Sequence, residues 1–316
     1  MQSREVGTLK SKHLLSGLLG VLLLGLLVAL GGCGATGQQT KVTVWSTGTN
    51  EMTAEAEAVE EAIQSMEQSP DIETPATAKT DLLAAVSDAA SPPLAYLANV
   101  VRIEAGEETK TLEVVGFEID LCRAVSKKIG LELHVVQVSW PNLIPSLDTG
   151  PYDIIVSAMM TGPEEPDELL ATDPYLAADL AICTTTRQTL ADEEDLKGKR
   201  VGVQIGTFAE STVETIDDVG EIRTYAHLPG AFQDLAAGKL DAVVAQEFPS
   251  RWILDNGPGY GDSLSLSGKI ETGEGYAFWC GKNQKELLAA MNTALAELRE
   301  DGIYQQILDK WGLIGN

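Results

Sequence analysis

Few side chains in this sequence are placed to make or break bonds, and those that stand out are better suited to holding a molecule. His134 and His227 lie in strand-like segments with no nucleophile pattern beside either, so both read as structural. No Cys/His spacing of the kind that holds zinc is present, and no metal is expected. Trp140 follows the strand-like run 131–138, and Ser157 with Ala158 follows the apolar run 154–156. In open α/β sheets the ligand crevice lies beyond the carboxyl ends of the strands, which is where these three stand. A tryptophan there offers a flat apolar face that packs on a solute and attracts a cation through its ring quadrupole. The competing reading of Trp140 is a core side chain.

The elements that must position these residues are written into positions 115–157. Leu121, Val125 and Ile129 recur every fourth residue, Glu118 and Asp120 sit at the start of that pattern, and Lys127 and Lys128 sit near its end. The charges complement a helix dipole and Gly130 terminates the helix. Residues 131–138 alternate with branched side chains, and 154–156 form the apolar run that a parallel sheet buries on both faces. Strand, helix, strand, helix, strand in this order predicts crossovers and an open α/β sheet. Further on, strands at 200–204, 222–225 and 242–245 alternate with helices from 209 and over 229–237. Two apolar-periodic helices, 284–299 and 303–311, close the chain.

The 316 residues carry 22 Lys+Arg against 47 Asp+Glu, a formal net charge of −25. Such a balance argues against a nucleic-acid partner and reads as a solvated, solubilising surface. Arg4, Lys10 and Lys12 precede an apolar run over 14–30, and Leu30-Gly31-Gly32-Cys33 follows. That is the pattern of an exported lipoprotein: residues 1–32 are expected to be a signal peptide and Cys33 the lipid anchor. A retained membrane anchor is the alternative, although the run falls short of the roughly 20 residues that span a bilayer. Residues 33–79, rich in Gly, Thr, Ala, Glu and Gln, are expected to form a flexible tether, because such composition buries too little surface to offset ordering. A small helix within 52–68 and a first strand at 41–45 are the competing readings. The remainder is long enough for two lobes with two separate cores.

The ordered blocks GFEIDL at 116–121, SWPNLIPSL at 139–147 and YDIIVS at 152–157 resemble the family 3 extracytoplasmic solute-binding proteins of ABC importers, the polar amino-acid binders. The resemblance continues through Asp173-Pro174-Tyr175, DLKGKRVGV at 195–203, GKLDAVV at 238–244 and LAELREDG at 295–302, to Trp311. It implies an α/β, bilobed fold of the periplasmic-binding-protein type (type II), two α/β lobes joined by a two-strand hinge. The implied lobes are 80–178 with 272–316, and 179–271, with crossings near 177–180 and 271–276.

The resemblance also implies a pocket. Asp88 matches the polar position after the first strand, whereas Ser91 and Leu94 stand where most relatives place aromatic residues. Trp140 matches the second aromatic wall, and Ser157 and Ala158 open the segment that grips an α-carboxylate. Glu165 occupies the place of the carboxylate-binding arginine. At the second lobe's helix start Thr207 keeps a hydroxyl and Phe208 replaces a threonine, while Gln246 replaces the amine-binding aspartate. Burying either charge of a zwitterion unpaired costs several kcal/mol, so two readings stay open. Either the solute is neutral or cationic and is held by Asp88, Trp140, Ser157, Phe208, Gln246 and Glu165. Or Glu164 and Glu165 form a solvated turn, and backbone amides with Arg251 or Arg187 hold the carboxylate.

The function so implied is a lipid-anchored, monomeric, non-enzymatic receptor, without a cofactor, that passes a small polar solute to ABC permease subunits by hinge closure. The alternatives are a cyclohexadienyl-dehydratase-like enzyme, with Glu165 or Asp88 as general acid, and a degenerate sensory or scaffolding relative. Cys122 falls on the buried side of its helix. Cys183 and Cys280 lie in segments that are neighbouring strands in the family, so a disulfide and two free thiols both remain open.

Overall fold

The computed structural model describes residues 41–45, 54–77, 81–104, 107–163 and 166–313, along which apolar runs and turn residues set the element order. The described residues open with β1 (Lys41–Trp45) and α1 (Ala54–Gln64), then β2 (Leu82–Ser87), β3 (Ala90–Ser91) and a long hairpin of β4 (Ala95–Glu104) and β5 (Glu107–Val115). Next come α2 (Phe117–Lys128), β6 (Glu132–Gln137), α3 (Leu143–Thr149), β7 (Ile154–Ile155), β8 (Leu169–Ala171) and β9 (Leu176–Ala177). The run from β10 (Leu180–Thr185) continues through β11 (Arg200–Gln204), α4 (Phe208–Thr215), β12 (Glu221–Tyr225), α5 (Leu228–Ala236) and β13 (Ala242–Gln246). It proceeds to α6 (Glu247–Asn256), α7 (Tyr260–Ser263) and β14 (Leu264–Ile270), and the chain ends with β15 (Gly275–Tyr276), β16 (Trp279–Gly281), α8 (Lys285–Glu300) and α9 (Ile303–Lys310).

Helix α2 forms where its spacing predicts, with Leu121, Cys122 and Val125 fully buried, and Gly130 beyond its end at φ 76, a left-handed position that glycine takes without steric cost. In the first lobe the apolar β2 lies inside a five-stranded sheet of order β6-β2-β7-β16-β8, parallel to β6 and β7. Strand β16 pairs antiparallel with β7 and β8. The second lobe repeats the plan as β12-β11-β13-β10-β14, with β11 parallel to β12 and β13, and β10 antiparallel to β13 and β14. The fold is thus α/β and bilobed, and in each lobe the parallel strands need helical crossovers while the antiparallel ones do not. The lobes join at a two-strand hinge, where Gly275 of β15 lies opposite Ala177 of β9 and Tyr276 opposite Leu176.

The interior does not divide along the same line. One buried cluster runs from Leu83, Val125 and Leu298 of the first lobe through Tyr175, Leu176 and Tyr276 at the hinge to Val201, Val203 and Val244 of the second sheet. The other face of that sheet has its own cluster around Phe232, Leu240 and Val243. Two separate cores are therefore not what forms, because the hinge strands are themselves apolar and bridge the lobes.

Within the range 33–79, where a tether is expected, the described segments 41–45 and 54–77 include a strand and a helix. β1 pairs antiparallel with β4, from Lys41 opposite Ile103 to Trp45 opposite Asn99. α1 lies against α2 and α9 and buries Val59 and Ile63. Arg123 of α2 donates to both carboxylate oxygens of Glu60, at 2.8 and 2.9 Å. Average composition hid an apolar stripe at helical spacing, and a stripe is all that docking requires. Cys33, residues 34–40 and the leader lie outside the described residues.

Cys183 on β10 and Cys280 on β16 belong to different sheets, and both are buried free thiols, as is Cys122. The neighbouring-strand expectation fails because β16 completes the first lobe's sheet after the chain has returned through the hinge. Among the described residues no helix is long and apolar enough to cross a membrane.

Candidate functional site

The carboxyl ends of the parallel strands in both lobes face a cavity of about 300 Å³. From the first lobe it is walled by Trp140, at the single turn after β6, by Leu143 and Ile144 at the start of α3, by Met159 and Met160 beyond β7, and by Trp279 of β16. The second lobe supplies Gly206 after β11, Thr207, Phe208, Ser211, Thr212 and Thr215 at or in α4, and Gln246 at the end of β13. Gly162, Pro163 and Pro166 complete the rim.

The two lobes touch across this cavity in a reciprocal way. Trp140 of the first lobe donates its Nε1–H to the carbonyl of Gly206 in the second, at 3.1 Å. Phe208 of the second lobe lies over Gly162 of the first, so close that a Cβ there would meet Phe208 Cε2 at 2.5 Å. Gln246 Nε2 reaches toward the Ala158 carbonyl at 3.5 Å. Each aromatic thus rests on a glycine of the opposite lobe, and at Gly162 the lack of a side chain is what permits the approach, whereas a Cβ on Gly206 would meet Trp140 Nε1 at an ordinary 3.4 Å.

Four of the residues singled out in the sequence, Trp140, Thr207, Phe208 and Gln246, line the cavity. Asp88, Ser157 and Ala158 do not; they form a hydrogen-bonded layer behind the wall. The Ser157 hydroxyl donates to Asp88 Oδ1 at 2.7 Å and accepts from the Asp88 N–H at 2.9 Å, and Asp88 Oδ1 also accepts from the Ala90 N–H at 3.3 Å. Burial pushes the Asp88 carboxyl up, against the pull of those two donors. Ala158 holds a left-handed φ of 51, and its N–H donates to Glu118 Oε2 at 2.7 Å. Glu118, wholly buried in the first turn of α2, accepts from the Tyr175 hydroxyl as well. Its burial pushes the carboxyl up to about 7, although both donors favour the charged form. One side chain thereby ties the turn beneath the cavity to the residue that precedes hinge strand β9. Glu165 lies outside the described residues.

The chemistry of the wall is apolar. None of the described lining side chains ionises, and most of its donors already have protein partners. Thr207 donates to the Gln204 carbonyl at 2.8 Å, Thr212 to that of Phe208 at 2.8 Å, Thr215 to that of Thr212 at 2.7 Å, and Trp279 Nε1 to that of Met159 at 3.2 Å. Of the two arginines that could replace the missing cation, Arg251 is held by Glu247 at 2.7 and 2.9 Å, and Arg187 is exposed at the turn after β10. Neither lines the cavity. Met159 and Met160 stand in the segment whose pattern pointed to a grip on a carboxylate, yet they contribute thioethers. Trp279 carried no signal, because only the return of the chain as β16 brings it beneath the site.

The family described as bacterial extracellular solute-binding proteins, family 3, matches residues 86–314. The chain is similar to a probable histidine-binding protein of Campylobacter jejuni, 31% identical over 203 residues that cover 64% of this chain and 78% of that protein. It is also similar to the ABC transporter arginine-binding protein 1 of Escherichia coli, 32% identical over 203 residues, 63% of this chain and 82% of that one. Among solved structures, an ancestral arginine-binding protein bound to glutamine superposes with a TM-score of 0.64 at 29% identity, covering 75% of this chain and 100% of that one. The ancestral amino acid-binding protein AncCDT-1, a precursor of cyclohexadienyl dehydratase, gives 0.60 at 27% identity, covering 73% and 95%.

Proposed function

The chain belongs to the family 3 bacterial extracellular solute-binding proteins, and we propose that it captures a small amino-acid-like solute between its lobes and delivers it to the permease subunits of an ABC importer. It works outside the cytoplasm as a monomer, held to the membrane by a lipid on Cys33. The observation that carries this reading is the cavity with walls from both lobes, set beside a two-strand hinge. Hinge closure around a solute turns occupancy into a shape that a partner can read. The solute is neutral or cationic, since the position of the carboxylate-binding arginine is Glu165 and that of the amine-binding aspartate is Gln246.

Elimination chemistry on this scaffold would need a general acid within reach of the substrate. Of the two carboxylates named for that role, Asp88 is hydrogen-bonded to Ser157 and does not line the cavity, and Glu165 lies outside the described residues; a cyclohexadienyl acid is expected to pass unchanged.

Thermal melts of the full chain against amino acids, amines, betaines and neutral amides test the receptor reading. One solute class should raise Tm in proportion to the logarithm of its concentration, as binding linkage requires. A Tm that no member moves would overturn it and favour a degenerate relative. Incorporation of labelled fatty acid, lost in Cys33→Ser, tests the anchor; equal labelling of both would exclude it.

A further inference from the structure

We propose that the cavity takes an uncharged, largely apolar solute bearing a single donor–acceptor group such as an amide, a narrowing that rests on the receptor reading above. Three observations meet in it. The first is the wall: two indoles, a phenyl ring, two thioethers, Leu143 and Ile144 surround about 300 Å³, which is the small end of the roughly 300–1,000 Å³ of ligand sites. Thioethers and aromatic faces adapt to apolar bodies of irregular shape.

The second is the missing charge. A buried carboxylate or ammonium left unpaired costs several kcal/mol, and neither a cation nor an anion lies among the described lining residues. Three described carboxylates on or beside the elements that form the wall are engaged within the protein. Glu210 Oε2 accepts from the Gly206 N–H at 2.6 Å, Glu247 holds Arg251 and Lys269, and Asp88 holds Ser157. None of the three is among the residues that line the cavity.

The third is what is left for polar recognition. The hydroxyls of Thr207, Thr212 and Thr215 and both indole N–H groups donate to the protein's own carbonyls, and of the remaining polar lining groups, Ser211 and Gln246, Gln246 is the one that donates and accepts in one plane, its N–H reaching the Ala158 carbonyl only at 3.5 Å. A primary amide is its complement, offering one donor and one acceptor in return. Discrimination follows from the same geometry. An apolar body gains by burial whatever its head group, while a charged head group loses solvation that no opposite charge among the described lining residues restores.

Calorimetric titration of the full chain with four compounds sharing a phenyl-propyl body isolates the charge: 3-phenylpropanamide, 3-phenylpropanoate, 3-phenylpropylammonium and phenylalanine. The amide is expected to bind about tenfold or more tighter than each of the other three. Gln246→Asp should weaken the amide and strengthen the ammonium by a similar factor. Phenylalanine or either ion binding as tightly as the amide would overturn the proposal, and so would silence of the amide. Arginine and histidine form a separate arm. Binding of either with the amide silent keeps the receptor and removes the uncharged class, and silence in every arm removes both.

Discussion

The ring of Phe208 in one lobe occupies the space that a side chain on Gly162 of the other would need, with only 2.5 Å between Phe208 Cε2 and the place of a Cβ. Approach of the lobes therefore depends on a glycine and an aromatic facing one another. Gly162→Ala is expected to weaken binding of 3-phenylpropanamide about tenfold or more by holding the lobes apart. The double change Gly162→Ala with Phe208→Ala removes the obstruction and should recover part of that loss relative to Gly162→Ala alone. Calorimetry on the pair checks this, and additive losses would contradict it.

Trp140 makes the reciprocal contact through its indole N–H. Trp140→Phe keeps a flat apolar face and removes the bond to Gly206, a change of about 0.5–1.5 kcal/mol in the closed form. Affinity should fall by a few-fold up to about tenfold while the urea midpoint stays put, because the bond joins two lobes that each keep their own sheet.

Glu118 makes the fold pH-sensitive in a stated direction. Its carboxyl moves from an ordinary 4.5 up to about 7 in the folded chain, chiefly through burial. Asp88, Cys122, Tyr175 and Tyr276 are the titratable groups around it. The folded chain thus keeps a proton that the unfolded chain gives up across that interval. The stability from this group is fully present below the ordinary value and is lost as pH rises through about 7. Glu118→Gln cannot ionise, so between about pH 5 and about pH 8 its stability should improve relative to the wild type by a few kcal/mol. Urea unfolding at the two pH values measures the difference; a constant offset would contradict the assignment.

Ile63 shows no exposed surface although it lies in a segment whose composition suggests a tether. Ile63→Ala should cost about 2–5 kcal/mol of unfolding free energy, as for a buried branched side chain, whereas a true tether would show no change. Denaturant unfolding decides between them.

Burial pushes the Cys183 thiol up to about 12 and the Cys280 thiol up to about 11, which keeps both protonated and unreactive. Alkylation of native protein should leave both untouched until denaturant is added, and reductant should not move Tm. A Tm lowered by reductant would reveal a disulfide, where the described cysteines Cys122, Cys183 and Cys280 are free thiols.

How much of this was legible depends on whether a residue's role is set locally. The spacing of Leu121, Val125 and Ile129 with Gly130 beyond them marks α2 without help from the rest of the chain. Trp140 could be placed at the cavity because it stands shortly after a strand, and Thr207, Phe208 and Gln246 because the family resemblance aligns them with pocket positions. Asp88 and Ser157 follow strands too, but their polar atoms satisfy one another, and a hydrogen-bonded pair turns inward where an unpaired one would face a solute. Trp279 and the pairing of β1 with β4 depend on contacts between distant segments, which no window of residues reveals.

The most direct test of the central claim is the structure of the full chain crystallised with 3-phenylpropanamide. The account predicts density for the amide between Trp140 and Phe208, its polar end at Gln246, with no charged side chain in contact. Arg251 or Arg187 turned into the cleft to meet an acidic solute, or lobes closed on an empty cavity in the presence of the amide, would contradict it.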